Sequence, residues 1–176
     1  VDGKVLALAS QRPDSRVEVG GDGIHGEVWL ADSPSTLWLH RDGIRVGELK
    51  VDTIGAHLGG MVRCDALTLD ASQSSVVRDG VYDAVLDAVV AGVRELLAGR
   101  DTLSDPERRL ARALICGPDC PLAATPLFVD LAQRLWSLSQ LASAPRVLLV
   151  QDAALHDASL DVPQLLGDAR LRRQLT

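Results

Sequence analysis

The stretch from Leu67 to Asp79 reads LTLDASQSSVVRD and gathers carboxylates, hydroxyls, an amide and a cation just before a long apolar-rich segment. The first backbone N–H groups of a helix have no intrahelical partner and carry partial positive charge, so such a corner can hold a phosphate. Asp70, Ser72, Gln73 and Arg78 are the candidate contacts. The plainer role for Asp70, Ser72 or Asp79 is to cap the helix.

Other constellations are weaker. Cys116-Gly117-Pro118-Asp119-Cys120 has the look of a redox or metal pair, but redox pairs usually enclose two residues and here there are three. A zinc site needs two further ligands, and none of His25, His40, His57 or His156 lies near in sequence. A Gly-Pro-Asp turn between two helices explains the segment. An enzyme built on either thiol needs a cationic or helix-terminal setting that spacing alone does not establish.

Gly21, Gly23 and Gly26 match the dinucleotide fingerprint in spacing, yet the run Glu27 to Ala31 that follows is β-type rather than helical. His156 and Asp157 with Asp152 and Asp161 read as a solvated loop. Ser72, Ser74 and Ser75 lack a strand-to-helix nucleophile elbow. No self-sufficient catalytic or cofactor-binding motif is present, and no metal site is expected.

Composition narrows the partners. The chain has 176 residues and a net charge of −6, with 3% aromatics. That charge repels phosphate backbones and the scarcity of rings removes stacking platforms, which argues against nucleic acid. Arg170, Arg172 and Arg173 fall at the end of an expected helix, where cations suit the dipole. No apolar run reaches the length of a membrane helix. The three cysteines are too few and too odd in number for a disulfide scaffold and suit a reducing cytoplasm. No export signal is visible, although the residues start at Val1 rather than Met.

The elements that must position the corner change period midway. Strands are expected over Lys4 to Ser10, Arg16 to Val19, Ile24 to Ala31, Thr36 to His40, Ile44 to Leu49 and Met61 to Leu69. Asp42-Gly43 supplies a tight hairpin turn. Helices follow over Val81 to Ala98, then from a Ser104–Glu107 capping box to about Ile115, then from Thr125-Pro126 to about Ala142. That third helix places Asp130, Gln133, Arg134 and Ser137 on its wet face. Arg146 to Gln151 reads as a strand, and Asp161-Val162-Pro163 as the cap of a last helix to about Leu175. The order implies an α+β fold, a mixed or antiparallel sheet packed by helices over residues 1–144, with a small strand-helix lobe over 145–176.

Thr36 to Val46 (TLWLHRDGIRV), Gly60 to Asp65 (GMVRCD) and Leu67 to Ser74 together resemble the middle segment of ninety-kilodalton heat-shock chaperones, members of the GHKL ATPase superfamily. The resemblance spans residues 36 to 98. Leu67, Leu69 and Ser72 match the family's Leu, Leu and Ser, and Asp70 stands where its Asn would be. The family's phosphate-reaching Arg falls on Gln73, whose amide donates a hydrogen bond without charge. Arg78, five residues on, is the substitute if it lies along the same helix. The resemblance implies a transducer or client-facing module that is not catalytic alone. It holds no cofactor itself, with ATP and Mg in a preceding domain, and a protein (client or second copy) as its partner. The alternative is a non-enzymatic interaction or scaffold domain, motivated by the apolar coverage of helix 81–98 and the Leu165, Leu166, Leu171 and Leu175 stripe.

Overall fold

The computed structural model describes residues 16–31, 33–51, 56–150 and 162–166. The expected strand over Lys4 to Ser10, the His156-Asp157 stretch, Leu171, Leu175 and the three C-terminal arginines lie outside them. The fold is α+β.

Alternating apolar and polar side chains make the first half a sheet. Strands β1 (Arg16–Gly21), β2 (Ile24–Ala31), β3 (Leu37–Arg41), β4 (Ile44–Leu49) and β5 (His57–Cys64) form one mixed sheet in the order β1-β2-β5-β3-β4. All pairs are antiparallel except β3–β5, which is parallel. Asp42 and Gly43 turn β3 into β4 with φ of 50° and 77°, the left-handed pair that tight hairpins require. Registers Val28↔Gly60, Val62↔Leu39 and Val19↔Gly26 put the apolar alternates on one face.

Helix α1 (Gly80–Ala98) covers that face over β1 and β2. Its stripe of Val85, Val89, Val93 and Leu97 is fully buried, and each such side chain contributes roughly 2 kcal/mol by leaving water. The apolar coverage that suggested a partner surface is therefore largely spent on the chain's own sheet. Helix α2 (Asp105–Leu114) starts at the expected Ser104–Glu107 capping box, with both reciprocal bonds present, and buries Leu110 and Ala111.

Three expectations are corrected. The strand expected over Met61 to Leu69 runs instead from His57 to Cys64. Its Gly59 and Gly60 lie inside the ladder, because a side chain at Gly59 would strike Trp29 Nε1 at 2.5 Å and one at Gly60 the Glu27 carbonyl at 2.6 Å. The helix expected over 125–142 is instead, following a 3-10 turn (Pro121–Ala124), a two-stranded hairpin of β6 (Phe128–Val129) and β7 (Leu135–Trp136) and a short helix α3 (Leu138–Ser143). The reason is local polar chemistry. Asp130 is buried, and its carboxylate accepts from Arg134 N–H and Nε and from Trp136 Nε1, each at 2.8–2.9 Å, closing a turn that a helix could not make. Ser137 and Gln140 then form a second capping box that starts α3. Strand β8 (Leu148–Val150) falls within the expected Arg146 to Gln151, but β9 (Gln164–Leu166) occupies the start of the expected last helix and pairs with β8 in parallel.

Two predictions follow from this packing. The third glycine of the rejected fingerprint, Gly26, sits where an added Cβ would lie 2.2 Å from the Met61 carbonyl oxygen. Gly26→Ala is expected to lower unfolding free energy by about 2 kcal/mol or more, read from urea denaturation. Burial opposes ionisation of Asp130, but the bonds from Trp136 and Arg134 outweigh it and hold its carboxyl below the ordinary range. A folded pKa below the unfolded one stabilises above the unfolded value and is lost as pH falls through the folded one. Asp130→Asn should cost about 2 kcal/mol near neutral pH and shrink that acid-dependent loss in a stability-versus-pH series.

Candidate functional site

The corner between β5 and α1 is a small polar hairpin. Leu69 and Val76 form an antiparallel bridge, and Val77 N–H donates to the Thr68 carbonyl at 2.8 Å. Asp70 N–H donates to Ser75 O and Gln73 N–H to Asp70 O, both at 2.9 Å. The Asp70 carboxylate braces the tip by accepting from Ser72 Oγ at 2.9 Å, Ser74 N–H at 2.9 Å, Ser74 Oγ at 3.2 Å and Ser75 N–H at 3.4 Å. Ser74 N–H first, and then Ser72 Oγ, draw its carboxyl below the ordinary carboxylate range.

Only one of the three capping candidates caps the helix. Asp79 accepts from Val81 N–H at 3.0 Å and Tyr82 N–H at 3.1 Å, while Asp70 and Ser72 serve the hairpin. Tyr82 N–H and the Thr68 hydroxyl hold the Asp79 carboxyl below its usual range. Two carboxylates thus occupy the N–H donors that a phosphate would use at the tip and at the helix start. The corner by itself does not fit a phosphate: an incoming anion would have to displace Asp70 or Asp79 against like-charge repulsion.

The remaining candidates stand apart. Gln73 is exposed at the tip with φ of 54°, a left-handed conformation uncommon for a residue with a side chain. Arg78 precedes the N-cap, so neither residue lies in α1, and the guanidinium sits 5.8 Å from the Tyr82 ring centre. The hairpin stem separates them: Gln73 is at the tip and Arg78 just beyond the base.

The base of the corner is anchored by residues that sequence reading did not single out. Arg41 donates to the Leu67 carbonyl at 2.9 Å. Asp65 accepts from Arg63 at 2.6 and 2.9 Å and from Asp42 N–H at 2.8 Å, tying the β3–β4 turn to the end of β5. Its carboxyl is lowered to about 2, by Arg63 first and the Asp42 amide second. Val76 rests on β4, where a Cβ on Gly47 would come within 3.3 Å. The Asp42-Gly43 pair was legible as a turn, but nothing in the sequence marked Asp65 as its clasp.

The sheet face turned away from α1 carries a second set of missed residues. Cross-strand register aligns His25, Arg63, His40 and Arg45 in one row, and Glu18, Glu27, Met61, Trp38 and Glu48 in the next. Met61 is 48% exposed. Arg45 stacks over Trp38 at 4.2 Å, and Arg16, which bonds Glu27, lies 5.6 Å over Trp29. The signal was available: Trp29, Trp38 and Met61 occupy the polar phase of strands whose other phase is apolar.

No protein-family model matches this sequence, and no curated protein is recognisably similar to it. Among the described residues there is no cluster of three or more metal-ligating side chains, and no helix is long and apolar enough to cross a membrane.

The bracing of the hairpin is directly testable. Asp70→Ala should speed amide exchange at Ser74 and Ser75 while leaving the buried middle of α1 protected. Because the Asp70 and Asp79 carboxyls are both lowered on folding, acid should have the same effect. Protection holds above the ordinary carboxylate range and falls as pH drops through the lowered values.

Proposed function

We propose that this chain is the transducer or client-facing module of a chaperone-like GHKL ATPase, coupling nucleotide state to protein interaction and not catalytic alone. The observation that carries the reading is the hairpin itself. Residues Ala71 to Ser75 are all exposed, yet the tip is locked by bonds to Asp70. Ordering exposed residues costs backbone entropy of roughly 1–2 kcal/mol each, and solvent-facing residues bury nothing to offset it. A stiff polar tip of this kind suits contact with another surface. On this reading ATP and Mg belong to a preceding domain, Gln73 and Arg78 meet that domain, and the protein acts in the cytoplasm. The three unpaired thiols agree with that compartment.

ATP turnover by the full-length protein tests the reading. Gln73→Ala and Arg78→Ala should each change turnover, or its response to a client, by about fivefold or more. Unchanged turnover and response in both variants would remove the proposed coupling.

A second reading, an interaction domain without nucleotide, is favoured by the open sheet face. Trp, Arg and Met are enriched in the cores of protein interfaces, and Trp38, Arg45 and Met61 sit together there. Light scattering distinguishes it. A mass above the monomer that falls to the monomer in Trp38→Ala and Met61→Lys supports self-association, whereas a strict monomer with no partner in pull-down counts against the domain's binding through this face.

A further inference from the structure

The open face of the sheet carries opposite charge in two neighbouring rows. His25, Arg63, His40 and Arg45 stand on β2, β5, β3 and β4 in one row, and Glu27, Met61, Trp38 and Glu48 stand on the same strands in the next. Strict alternation along β4 would turn Arg45 and Glu48 to opposite faces, because they are three residues apart. A register slip between Leu39 and His40 undoes this, pairing Arg45 with His40 and Glu48 with Trp38. Both charged side chains of β4 therefore share this face, and both are exposed. The Arg45 guanidinium lies 4.2 Å from the Trp38 ring centre, so it is held against the face before any partner arrives.

We propose that two copies of this chain pair through this face as a twofold dimer whose axis runs across the strands, between the two rows. The proposal rests on the second reading above, that the open face binds protein, and it names the partner. Charge complementarity selects the arrangement. A twofold axis across the strands sets each strand over its own copy and exchanges the rows. Arg45 then faces Glu48 of the other copy, His25 faces Glu27, Arg63 faces Met61 and His40 faces Trp38. An axis along the strands would set each row on itself, His25 against Arg45 and Glu27 against Glu48, and like charges would meet.

Internal pairs decide which contacts matter. Arg63 already bonds Asp65 at 2.6 Å, and Arg16 bonds Glu27 at 2.8 Å. Glu48 meets Lys50 at 3.3 Å, but that ammonium is 80% exposed and gives way easily. The Arg45–Glu48 contact therefore has the least competition, and the twofold makes it twice. Stacked sheets cross at about 30° because of their twist, and these two long side chains span the resulting offset at the β4 edge. Beside the axis, Met61 and Trp38 of both copies leave water together, an apolar centre inside a charged rim.

Sedimentation equilibrium of the chain over a concentration series reads the dimer constant. Arg45→Glu and Glu48→Arg should each weaken the dimer by about tenfold or more, since each sets like charges opposite one another twice. The double reversal should recover to within about threefold of the wild type. Met61 is the one methionine of the chain, so an isotope-labelled methyl gives a single NMR reporter. In mixed labelled and unlabelled wild-type dimers it should contact Arg63 of the other copy, which fixes the register even if a reversal fails to fold. A monomeric wild type, a dimer that neither reversal weakens, a folded double reversal that stays weak, or a methyl contact to Trp38 without Arg63 would overturn the proposal. A monomer also separates the two claims. If the wild type but not Trp38→Ala retains a protein partner in pull-down, the face still binds and self-pairing fails; if neither retains one, both fail.

Discussion

The close seating of α1 on β1 and β2 is the constraint from which the rest follows. Gly92 makes it possible: an added Cβ would lie 3.0 Å from Val19, 3.2 Å from Val17 and 3.5 Å from Val28. A glycine in mid-helix costs about 1 kcal/mol against alanine, and here it lets Val89 and Val93 reach the sheet and become fully buried. Once the helix is fixed, its N-terminus fixes Asp79, and Asp79 with Thr68 fixes the base of the polar hairpin. At the other end, Arg94 of the same helix reaches the Leu114 carbonyl at the end of α2. The polar corner and the end of α2 therefore both hang from one packed helix.

Electrostatics gives the hairpin its character. A corner rich in N–H donors at a helix start is ordinarily an anion site, and this one carries its own anions. Asp70 closes the tip and Asp79 the helix, while Asp65 clasps the neighbouring turn to Arg63. The result is a shape held by internal charge-assisted bonds rather than a receptor waiting for charge. Gln73 stands exposed at its tip and Arg78 exposed beside Tyr82.

Much of the sheet was legible because its cues are local. The β-type runs Ile24–Ala31 and Ile44–Leu49 match β2 and β4 residue for residue, and Asp42-Gly43 gives the turn from β3 into β4. The Ser104 box and the Val85–Val89–Val93 spacing place two helices. Sheet order was not legible, because the parallel β3–β5 pairing joins segments by a crossover that no adjacent residue announces. The region after Thr125 was misread because Leu, Val and Ala suit a buried hairpin as well as a helix. What decides the matter is Asp130 capturing Arg134 and Trp136 across a turn, a three-body contact that periodicity does not contain. In the corner, the residue types identified a special place but not its wiring. Asp70 could be named from sequence, but whether it faced a ligand or its own backbone depended on Gln73 adopting φ of 54°.

With the N–H donors of this corner already filled by Asp70 and Asp79, the corner is expected not to bind phosphate on its own. Backbone amide NMR of the isolated chain, titrated with inorganic phosphate at constant ionic strength, tests it most directly. The expected result is no saturable shift at Ser74, Ser75, Val81 or Tyr82. Saturable movement of those four amides, abolished together with the binding by Arg78→Ala, would contradict it.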